Sequence, residues 1–471
     1  MLIHRVYERS WILALGAVIA GCYARDTEGL ECAYDSDCLG LRCIGRLCSA
    51  TEEKTGAVSV AVGSEQACAV LGDGTARCWG ANTWGQLGYP DLAPAACGAA
   101  PKVLGPIDLG AAADGVNVLQ IATGGGIFDE GDRYRAHTCA LLEGGRLKCW
   151  GMGSDETGSG WLGYENMDNV LDPAVAPLVP LTRTVRRIAV GDRYTCAIFD
   201  DGRLGCWGMG ARPRGSQGTD SVGGMQGDIE NLIPVSFGTD VAVRAVSAGY
   251  AHACAVLEDN TAWCWGEPSK NGRLGIGADG AAGTSVPLRV TFDHVGMGAP
   301  LDVRTGLYHS CALLANDAIA CWGCNVAGAL GLRGDDPSLK PVLNACQVGA
   351  ADRPVLATEV QAALAGAHIV QLVSGGNHNC VLLADRSVRC WGENQVGQLG
   401  VPFDGDAHPA PIVVKMNGDV LRAVEIASAA SQVCAVTDTG AVVCWGDNTF
   451  GQAGFGACVP TETLPRPVDL L

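Results

Sequence analysis

The stretch CAIFDDGRLGCWG, residues 196–208, decides the fold of this 471-residue chain because it recurs in recognisable form seven times. Each copy has two cysteines with nine residues between them, and Trp-Gly follows the second cysteine. Successive copies begin 54 to 71 residues apart. A short unit repeated at that spacing is typical of a propeller or a solenoid, in which one supersecondary element is copied along the chain.

The residues between the two cysteines predict a β-hairpin. If the cysteines face each other across antiparallel strands, a three-residue loop joins the strands, and the third loop position usually has a left-handed backbone. Six of the seven residues there tolerate a positive φ. The seven residues are Gly74, Gly145, Gly202, Asn260, Asp317, Arg386 and Gly440, and Arg386 is the exception. The residue two positions after the first cysteine is always aliphatic, so this face of the hairpin should be buried.

The hairpin register also predicts the pairing of the cysteines. Cβ atoms at a non-hydrogen-bonded antiparallel pair are close enough to bridge with little strain. We therefore predict seven disulfides: Cys68–Cys78, Cys139–Cys149, Cys196–Cys206, Cys254–Cys264, Cys311–Cys321, Cys380–Cys390 and Cys434–Cys444. The alternative is reduced cysteines buried as small apolar side chains. Cys324 and Cys346 share one insertion and could close it, and a closed ring would bring Cys97 beside Cys458.

The N-terminus has the pattern of an export signal. Residues 1–21 carry two arginines and then a ten-residue apolar run, which is too short to span a bilayer. The run ends in Ile-Ala-Gly-Cys22, which resembles the lipobox of a bacterial-type lipoprotein. The resemblance implies cleavage before Cys22, acylation of its thiol and attachment to the membrane through lipid alone. An ordinary secretory peptide is the alternative.

A small cysteine-rich module, residues 32–48, follows the lipidated tether at 22–31. Cys32, Cys38, Cys43 and Cys48 lie within 17 residues, which is too little chain to bury a core without covalent links. We expect two disulfides whose connectivity stays open. A zinc site is the alternative, but paired Cys-x-x-Cys ligands are missing. Residues 49–55 are a polar linker, and the repeats fill 56–471.

Composition limits the compartment and the partners. The chain has 66 glycines, about twice the average usage, which favours many short strands joined by tight turns. Its formal charge is −18, which disfavours nucleic acid and anionic membrane surfaces as partners. Its 23 cysteines indicate an oxidising compartment. We therefore expect an exported protein attached to the cell envelope, at the outer membrane or cell surface, without a nucleic-acid partner.

The repeats share a specific string: an aliphatic residue and Gly, then His-x-Cys-Ala, a turn, Cys-Trp-Gly-x-Asn and Gly-Gln-Leu-Gly. Clear copies are CWGANTWGQLG at 78–88, CWGENQVGQLG at 390–400 and CWGDNTFGQAG at 444–454. This string resembles the regulator of chromosome condensation repeat family, although repeats 2, 3 and 4 depart from its Gly-Gln-Leu-Gly part. The resemblance implies an all-β, seven-bladed propeller of four-stranded blades. We separately expect no cofactor.

The chain ends predict how the ring closes. The first repeat begins at Val58 without a preceding Pro-x-x-Val strand, and the chain finishes on such a strand, 465–471. We predict that this C-terminal strand completes the first blade, because closure removes an exposed sheet edge.

The resemblance brings two models of function. The founding member of the family is an exchange factor for the Ran GTPase and binds chromatin, neither of which an exported, acidic protein meets. Another relative is an exported propeller that inhibits a β-lactamase by gripping it with one ring face. The second model is the nearer one, and we do not expect nucleotide exchange.

Three variable insertions are the candidate binding surfaces, because rigid scaffolds present binding residues on loops. They span residues 124–135, 210–230 and 332–368. In the first, Phe128, Arg133, Tyr134 and Arg135 are aromatic and arginine residues of the kind found in protein interfaces. Solvated spacer loops are the alternative.

Four histidines share the position two residues before the first cysteine: His137, His252, His309 and His378. Four imidazoles around a ring could converge on a metal, but the other repeats have Gln66, Tyr194 and Gln432 there. We therefore expect each histidine to anchor its own turn, and no metal site. The tryptophan after each second cysteine should be a wedge between blades.

The sequence thus predicts a lipid-anchored extracytoplasmic scaffold that binds a protein through one face of a propeller and is not an enzyme. A propeller hydrolase or lyase acting on extracellular glycans and a purely structural surface protein are the alternatives. An enzyme would show acidic pairs and histidines at one mouth of the channel, whereas a binder would show a patch rimmed by aromatic residues.

Overall fold

The computed structural model describes residues 23–24, 30–31, 42–44, 47–49, 56–92, 101–110, 115–126, 135–154, 160–209, 222–266, 271–277, 284–292, 297–340, 346, 349–456 and 461–470. The chain has two compact units, Met1–Glu52 and Glu53–Leu471. In the described residues, no helix is both long enough and apolar enough to cross a bilayer.

The first unit contains one small sheet with the strand order β1-β2-β4-β3. Its strands are β1 (Tyr23–Ala24), β2 (Leu30–Glu31), β3 (Arg42–Ile44) and β4 (Leu47–Ser49). Cys43 lies opposite Cys48 in the backbone register. The predicted signal peptide, Cys22 and the disulfides of this module lie outside what the structure describes, so they stay predictions.

The second unit is a ring of seven blades. Blade 1 contains β5 (Ala57–Val62), β6 (Gln66–Leu71) and β7 (Ala76–Gly80). Blade 2 contains β8 (Val118–Gly126), β9 (Arg135–Leu142) and β10 (Arg146–Gly151). Blade 3 contains β11 (Val185–Val190), β12 (Tyr194–Phe199) and β13 (Leu204–Gly208). A short helix, α1 (Pro101–Leu104), follows the first hairpin.

Blades 4 to 7 each add a continuous outer strand. Blade 4 contains β14 (Val243–Ala248), β15 (His252–Leu257), β16 (Ala262–Gly266) and β17 (Thr284–Val290), and blade 5 contains β18 (Pro300–Thr305), β19 (His309–Leu314), β20 (Ile319–Cys324) and β21 (Ala350–Leu356). Blade 6 contains β22 (Ile369–Ser374), β23 (His378–Leu383), β24 (Val388–Gly392) and β25 (His408–Val413). Blade 7 contains β28 (Ala423–Ala429), β29 (Gln432–Thr437), β30 (Val442–Asp447) and β31 (Thr461–Pro467). A 3-10 turn (Val326–Gly328), helix α2 (Thr358–Ala363) and the hairpin β26 (Lys415–Met416) with β27 (Asp419–Val420) lie between them.

All seven blades follow one plan, an antiparallel meander from an inner strand to an outer one. In blades 1 to 3 an irregular segment replaces the outer strand and bonds the third strand at single points, such as Val170 with Gly151. Inner strands of successive blades contact one another around the ring, and β28 of the last blade contacts β5 of the first. The predicted all-β, seven-bladed fold is confirmed.

Seven clusters of the hydrophobic core lie one at each seam between neighbouring blades, and a smaller eighth cluster surrounds Cys324 and Cys346. Alternation along each second strand produces this arrangement, since successive side chains point to opposite faces of the sheet. In β6, Cys68 and Val70 pack toward blade 2, whereas Ala67, Ala69 and Leu71 pack toward blade 7. Each blade is therefore buried on both faces by its neighbours.

The predicted hairpins form in every blade. The two cysteines of each pair are register partners, as for Cys196 and Cys206, and all seven pairs are disulfides with Cα–Cα distances of 4.0 or 4.1 Å. The third loop position has a positive φ in all seven loops, including Arg386 at 68°. Cys324 also bonds Cys346, whereas Cys97 and Cys458 lie outside the described residues and their pairing stays a prediction.

The tryptophans that follow the second cysteine of each repeat connect the blades. All seven are fully buried, and at six seams the indole N–H donates to a backbone carbonyl in the loop that follows the third strand of the preceding blade, over 2.8 to 3.1 Å. Trp150 of blade 2, for example, donates to Gln86 O of blade 1. The predicted role as wedges between blades is correct, and the hydrogen bond adds direction to the packing.

The predicted closure by the C-terminal strand is wrong. β31 pairs with β30, and Arg466 lies opposite Cys444, so the strand is the outer strand of blade 7. The reason is that the Pro-containing strand follows each hairpin in the chain, which lets every repeat complete its own blade. Closure instead uses the ordinary seam contacts: Trp79 donates to Gln452 O over 2.8 Å, and Ala57 N donates to Gly440 O over 2.8 Å.

Removing one hairpin disulfide should weaken the ring measurably. The double substitution Cys196→Ala/Cys206→Ala frees a loop of about eleven residues in the unfolded chain, so we expect the free energy of unfolding to fall by about 2 to 3 kcal/mol. Urea denaturation of the oxidised proteins measures this. Cys311→Ala/Cys321→Ala is the matched control, because it removes an equally buried pair and should cost the same; unchanged stability in both would contradict the prediction.

Candidate functional site

The propeller has two unlike faces. The first carries the loops that join inner to second strands, and the loops that follow the third strands, and we call it the loop face. The second carries the seven tight hairpin turns, and we call it the turn face. The insertion at 124–135 falls between β8 and β9 and therefore belongs to the loop face.

Hydrogen bonds between the loops of neighbouring blades hold the loop face in place around the mouth of the channel. Ser64 Oγ donates to Gly125 O over 2.5 Å, linking blades 1 and 2. Leu307 N donates to Gly376 O over 3.0 Å, linking blades 5 and 6. Because these loops are tied to one another, the side chains they carry are presented on a fixed rim.

The rim side chains differ from repeat to repeat. Tyr250 and Tyr308 are half-buried, and the carboxylate of Asp192, which is 1% exposed, lies 3.2 Å from the guanidinium of Arg193. Farther out, Trp84 and Phe450 are half-buried in the loops after the third strands of blades 1 and 7. Aromatic residues beside an arginine are the composition of protein interface cores.

Sequence reasoning missed these rim residues. The available signal was variation inside an otherwise uniform repeat. The residues that join the inner strand to the position two before the first cysteine differ from repeat to repeat. They are Ser64-Glu65, Asp192-Arg193, Tyr250-Ala251 and Leu307-Tyr308 in four of the repeats. Positions that the blade leaves unconstrained are the ones available for binding.

The insertion at 124–135 extends a hairpin from this rim. Strands β8 and β9 continue past the usual end of the blade and pair Gly124, Gly125 and Gly126 with His137, Ala136 and Arg135. Arg135 lies with its guanidinium carbon 5.9 Å from the centre of the buried Trp161 ring, so it fixes the base of the hairpin. Phe128, Arg133 and Tyr134 lie outside the described residues, so their role in binding stays a prediction.

The other two insertions contribute differently. Residues 210–221 lie outside the described chain, and Ile229 and Leu232, just beyond them, are buried in the seam between blades 2 and 3. The insertion at 332–368 supplies the outer strand β21 and helix α2, whose Val360 is fully buried. Part of this candidate binding insertion is therefore structural, because it completes the core beside blade 5; a binding role for the rest of 332–368 stays a prediction.

The four repeat histidines tie neighbouring blades together. Each Nε2 contacts a polar side chain of the next blade over 2.8 to 2.9 Å: His137 with Thr195, His252 with Ser310, His309 with Asn379 and His378 with Ser428. Their rings pack under their own loops, as His309 does beneath Gly306. The histidines therefore pack under their own loops, as expected, and they also form hydrogen bonds to the next blade, which was not expected.

These imidazoles are kept neutral. Complete burial lowers the pKa of His137 and of His378 to about 3, and burial also lowers the pKa of His252 and His309. Within the described ranges no three His, Cys, Asp or Glu side chains form a group that could hold a metal ion. A buried neutral imidazole that bonds the next blade is a structural group.

The histidines should make the ring acid-sensitive. Their folded pKa values lie below the unfolded value of 6.5, so between about pH 6 and 3 the unfolded chain binds more protons, and the free energy of unfolding falls as the pH falls. The slope is about 1.4 kcal/mol per pH unit for each histidine. We expect His137→Gln, which copies Gln66 of repeat 1, to reduce the slope by that amount in denaturation curves from pH 6 to 4.

A matched control separates two effects of the His137 substitution: the loss of a titrating imidazole and the loss of a hydrogen bond between blades. Tyr194 occupies the same repeat position, and its hydroxyl donates to His252 O of the next blade over 2.8 Å. Tyr194→Phe should lower stability at every pH without changing the slope. An unchanged slope in His137→Gln would show that this imidazole is protonated in the folded ring.

Two carboxyl groups of the loop face have raised pKa values. Burial, aided by the charge of Asp447, raises the pKa of Glu65 to about 8, and burial raises that of Glu393. Both oxygens of the Glu65 carboxyl are enclosed, so a substrate cannot contact it in this conformation. A raised pKa alone therefore does not make Glu65 a general acid.

Comparisons with known proteins agree with this architecture. The regulator of chromosome condensation (RCC1) repeat model matches residues 243–273, 369–398 and 433–452. The chain is 26% identical over 415 residues to the ultraviolet-B receptor UVR8 of Arabidopsis thaliana, covering 88% of this chain and 81% of that protein. It is 28% identical to the mitochondrial RCC1 domain-containing protein RUG3 of the same plant, covering 69% and 67%.

Similarity extends to longer proteins and to solved propellers. The human E3 ubiquitin-protein ligase HERC2 is 27% identical over 62% of this chain, which spans only 5% of that protein. Prp20p of Saccharomyces cerevisiae superposes with a TM-score of 0.62 at 20% identity, covering 86% of both chains. Yeast RCC1 (Prp20) solved with Kap60 bound superposes with a TM-score of 0.64 at 17% identity, covering 99% and 91%. The chain therefore carries RCC1 repeats, arranged as a seven-bladed propeller.

Proposed function

We propose that this protein is a lipid-anchored, extracytoplasmic scaffold that binds a partner protein through the loop face of its propeller. The observation that carries the proposal is the fixed rim of repeat-specific side chains, with Arg193, Tyr250 and Tyr308 around the mouth of the channel. The structural residues of the blades recur from repeat to repeat, whereas these rim residues do not. Repeat-specific side chains on the loops of a rigid scaffold support a recognition role.

The relatives support a binding function in general terms. Propellers of this kind include one solved with Kap60 bound and one described with binding properties toward Gsp1p and histones. Those partners belong to those proteins. The present chain has a formal charge of −18, which disfavours a polyanionic partner and favours a neutral or basic protein surface.

The proposed location rests on the sequence. The apolar run before Cys22 supports export and acylation, and eight disulfides in the described propeller support an oxidising compartment.

A glycan hydrolase or lyase is the second candidate function, and the raised pKa of Glu65 is the observation in its favour. The enclosed oxygens of that carboxyl count against it.

Site-specific photo-crosslinking in the native host tests the binding face. A photoreactive amino acid at Trp84 or Tyr250 on the loop face should crosslink one protein in near-stoichiometric amount. The same residue at Glu143 or Thr439, which are exposed on the turn face, should crosslink none. Equal crosslinking from both faces, or none from the loop face, would contradict the proposal; activity on polysaccharides in the second case would favour the hydrolase.

Acylation is tested separately from binding. A Cys22→Ser variant should lose incorporation of a clickable fatty acid and leave the membrane fraction, because a single lipid-modified residue is the proposed attachment. Cys48→Ser is the control and should keep both properties. Lipid incorporation that survives Cys22→Ser would refute the proposed anchor.

A further inference from the structure

The outer walls of blades 2 and 3, which are the surfaces farthest from the channel, expose apolar side chains. Irregular segments replace the outer strands there, 160–182 in blade 2 and 222–242 in blade 3. Five of the ten large apolar side chains that are exposed in the described residues belong to these two segments. They are Met167, Leu171, Val175, Met225 and Ile233, with exposed fractions of 50, 53, 81, 75 and 64%, and we call them the outer-wall patch. Single exposed apolar residues are ordinary, whereas such a concentration marks an interaction surface.

The two segments pack against each other, so the patch is shared by two blades. A Cβ built on Gly160 would lie 2.0 Å from Gly223 O and 2.6 Å from Asn166 O. Asn166 directly precedes Met167, and Gly223 lies two residues before Met225. Hydrogen bonds join the segments at two further points. The apolar side chains therefore lie on one surface that crosses the seam between blades 2 and 3.

The blade 2 part of the patch is held in place. A Cβ built on Gly85 of blade 1 would lie 2.5 Å from Leu171 Cα, so the backbone of this segment rests directly on the neighbouring blade. Farther along, Val179 N donates to Leu147 O over 2.9 Å. Two prolines between Leu171 and Val179 fix further backbone angles. A surface that is already ordered loses little conformational freedom when a partner binds.

The charges around the patch have one sign. Neither segment contains a lysine, an arginine or a histidine. Six carboxyl groups are present instead: Glu165, Asp168, Asp172, Asp228, Glu230 and Asp240. Because complementary interfaces place opposite charges together, such a surface favours a partner that is both apolar and basic. A second copy of this patch or an anionic lipid surface would bring like charges together.

We propose that the outer-wall patch docks a segment of a partner protein in which aliphatic side chains are flanked by lysine or arginine. The aliphatic side chains cover Leu171, Val175 and Ile233, and the cationic groups lie near the exposed carboxylates of Asp168 and Glu230. The patch lies on the outer wall rather than on the loop face. The proposal therefore does not depend on the binding function proposed for the loop face, and either can fail alone.

Three fluorescein-labelled peptides of about twelve residues test this chemistry on the oxidised full chain. One repeats Leu-Lys-Lys-Leu, one repeats Leu-Glu-Glu-Leu and one repeats Ser-Lys-Lys-Ser. Fluorescence anisotropy should show saturable binding of one Leu-Lys peptide per chain and no saturable binding of the other two. Raising NaCl from about 50 to about 500 mM should weaken the Leu-Lys complex about tenfold, because salt screens the charge pairs at an exposed site.

Substitutions separate the apolar from the charged contribution. Leu171→Ser/Val175→Ser should weaken binding of the Leu-Lys peptide about tenfold or more, since it removes the aliphatic surface that the peptide covers. Asp168→Asn/Glu230→Gln should weaken it about threefold at low salt and flatten its dependence on salt. All four positions lie on the surface, so both variants should keep the Tm of the parent chain.

A matched control uses exposed apolar residues of other blades. Phe403 of the loop after β24 and Leu464 of β31 are 55% and 48% exposed, so Phe403→Ser/Leu464→Ser removes a similar apolar area elsewhere on the ring. This variant should bind the Leu-Lys peptide as tightly as the parent chain. An equal loss of affinity in the control and in Leu171→Ser/Val175→Ser would overturn the proposal, as would an absence of saturable binding to the parent chain.

Two other occupants would also overturn it. A dimer in sedimentation velocity that dissociates on Leu171→Ser/Val175→Ser would assign the patch to a second copy of this chain. Flotation of the Cys22→Ser chain with phosphatidylcholine vesicles, abolished by the same two serine substitutions, would assign it to a lipid surface. The proposal predicts a monomer in the first experiment and no flotation in the second.

Discussion

The ring depends on one hydrogen bond repeated at its seams, in which the indole N–H of a buried tryptophan donates to a loop carbonyl of the preceding blade. The bond gives direction to packing that would otherwise be an apolar contact between two sheets. The disulfide of the preceding blade lies in the same cluster as this tryptophan, as Cys68 and Cys78 do with Trp150. Hairpin, disulfide and tryptophan thus form one unit, and the interblade histidine bonds add a second connection nearer the axis.

The contrast between residues that build every blade and residues that differ from repeat to repeat indicates where a binding site can lie. Residues that make a blade, such as the paired cysteines and the tryptophan, recur because every seam needs them. Residues such as Tyr250 and Tyr308 occupy positions with no such demand, and all of them project from loops already tied to their neighbours. A rigid surface of variable residues binds with little loss of conformational freedom, which favours a recognition role for the loop face.

The sequence predicted the parts of the structure that repeat. Spacing between cysteines fixed the hairpin register, and the turn residues, with only Arg386 as an exception, agreed with the left-handed backbone found in all seven loops. The sequence did not predict which blade contains the C-terminal strand. By its pattern, the strand that ends at Pro467 fits either the first or the last blade, and only the pairing of Arg466 with Cys444 in the structure distinguishes the two. The rim was missed because its residues come together from different blades, and no spacing along the chain reveals that.

Hydrogen exchange of the indole N–H groups tests whether the tryptophan bonds close the ring. In the chain with ¹⁵N-labelled tryptophan, we expect the Trp79 indole, which closes the ring onto Gln452, to exchange as slowly as those of Trp150 and Trp322 at interior seams. Equal protection would show that the closing seam is as tight as the others. Exchange of Trp79 at the rate of an exposed indole, with the other two still protected, would show that the ring is open between blades 1 and 7.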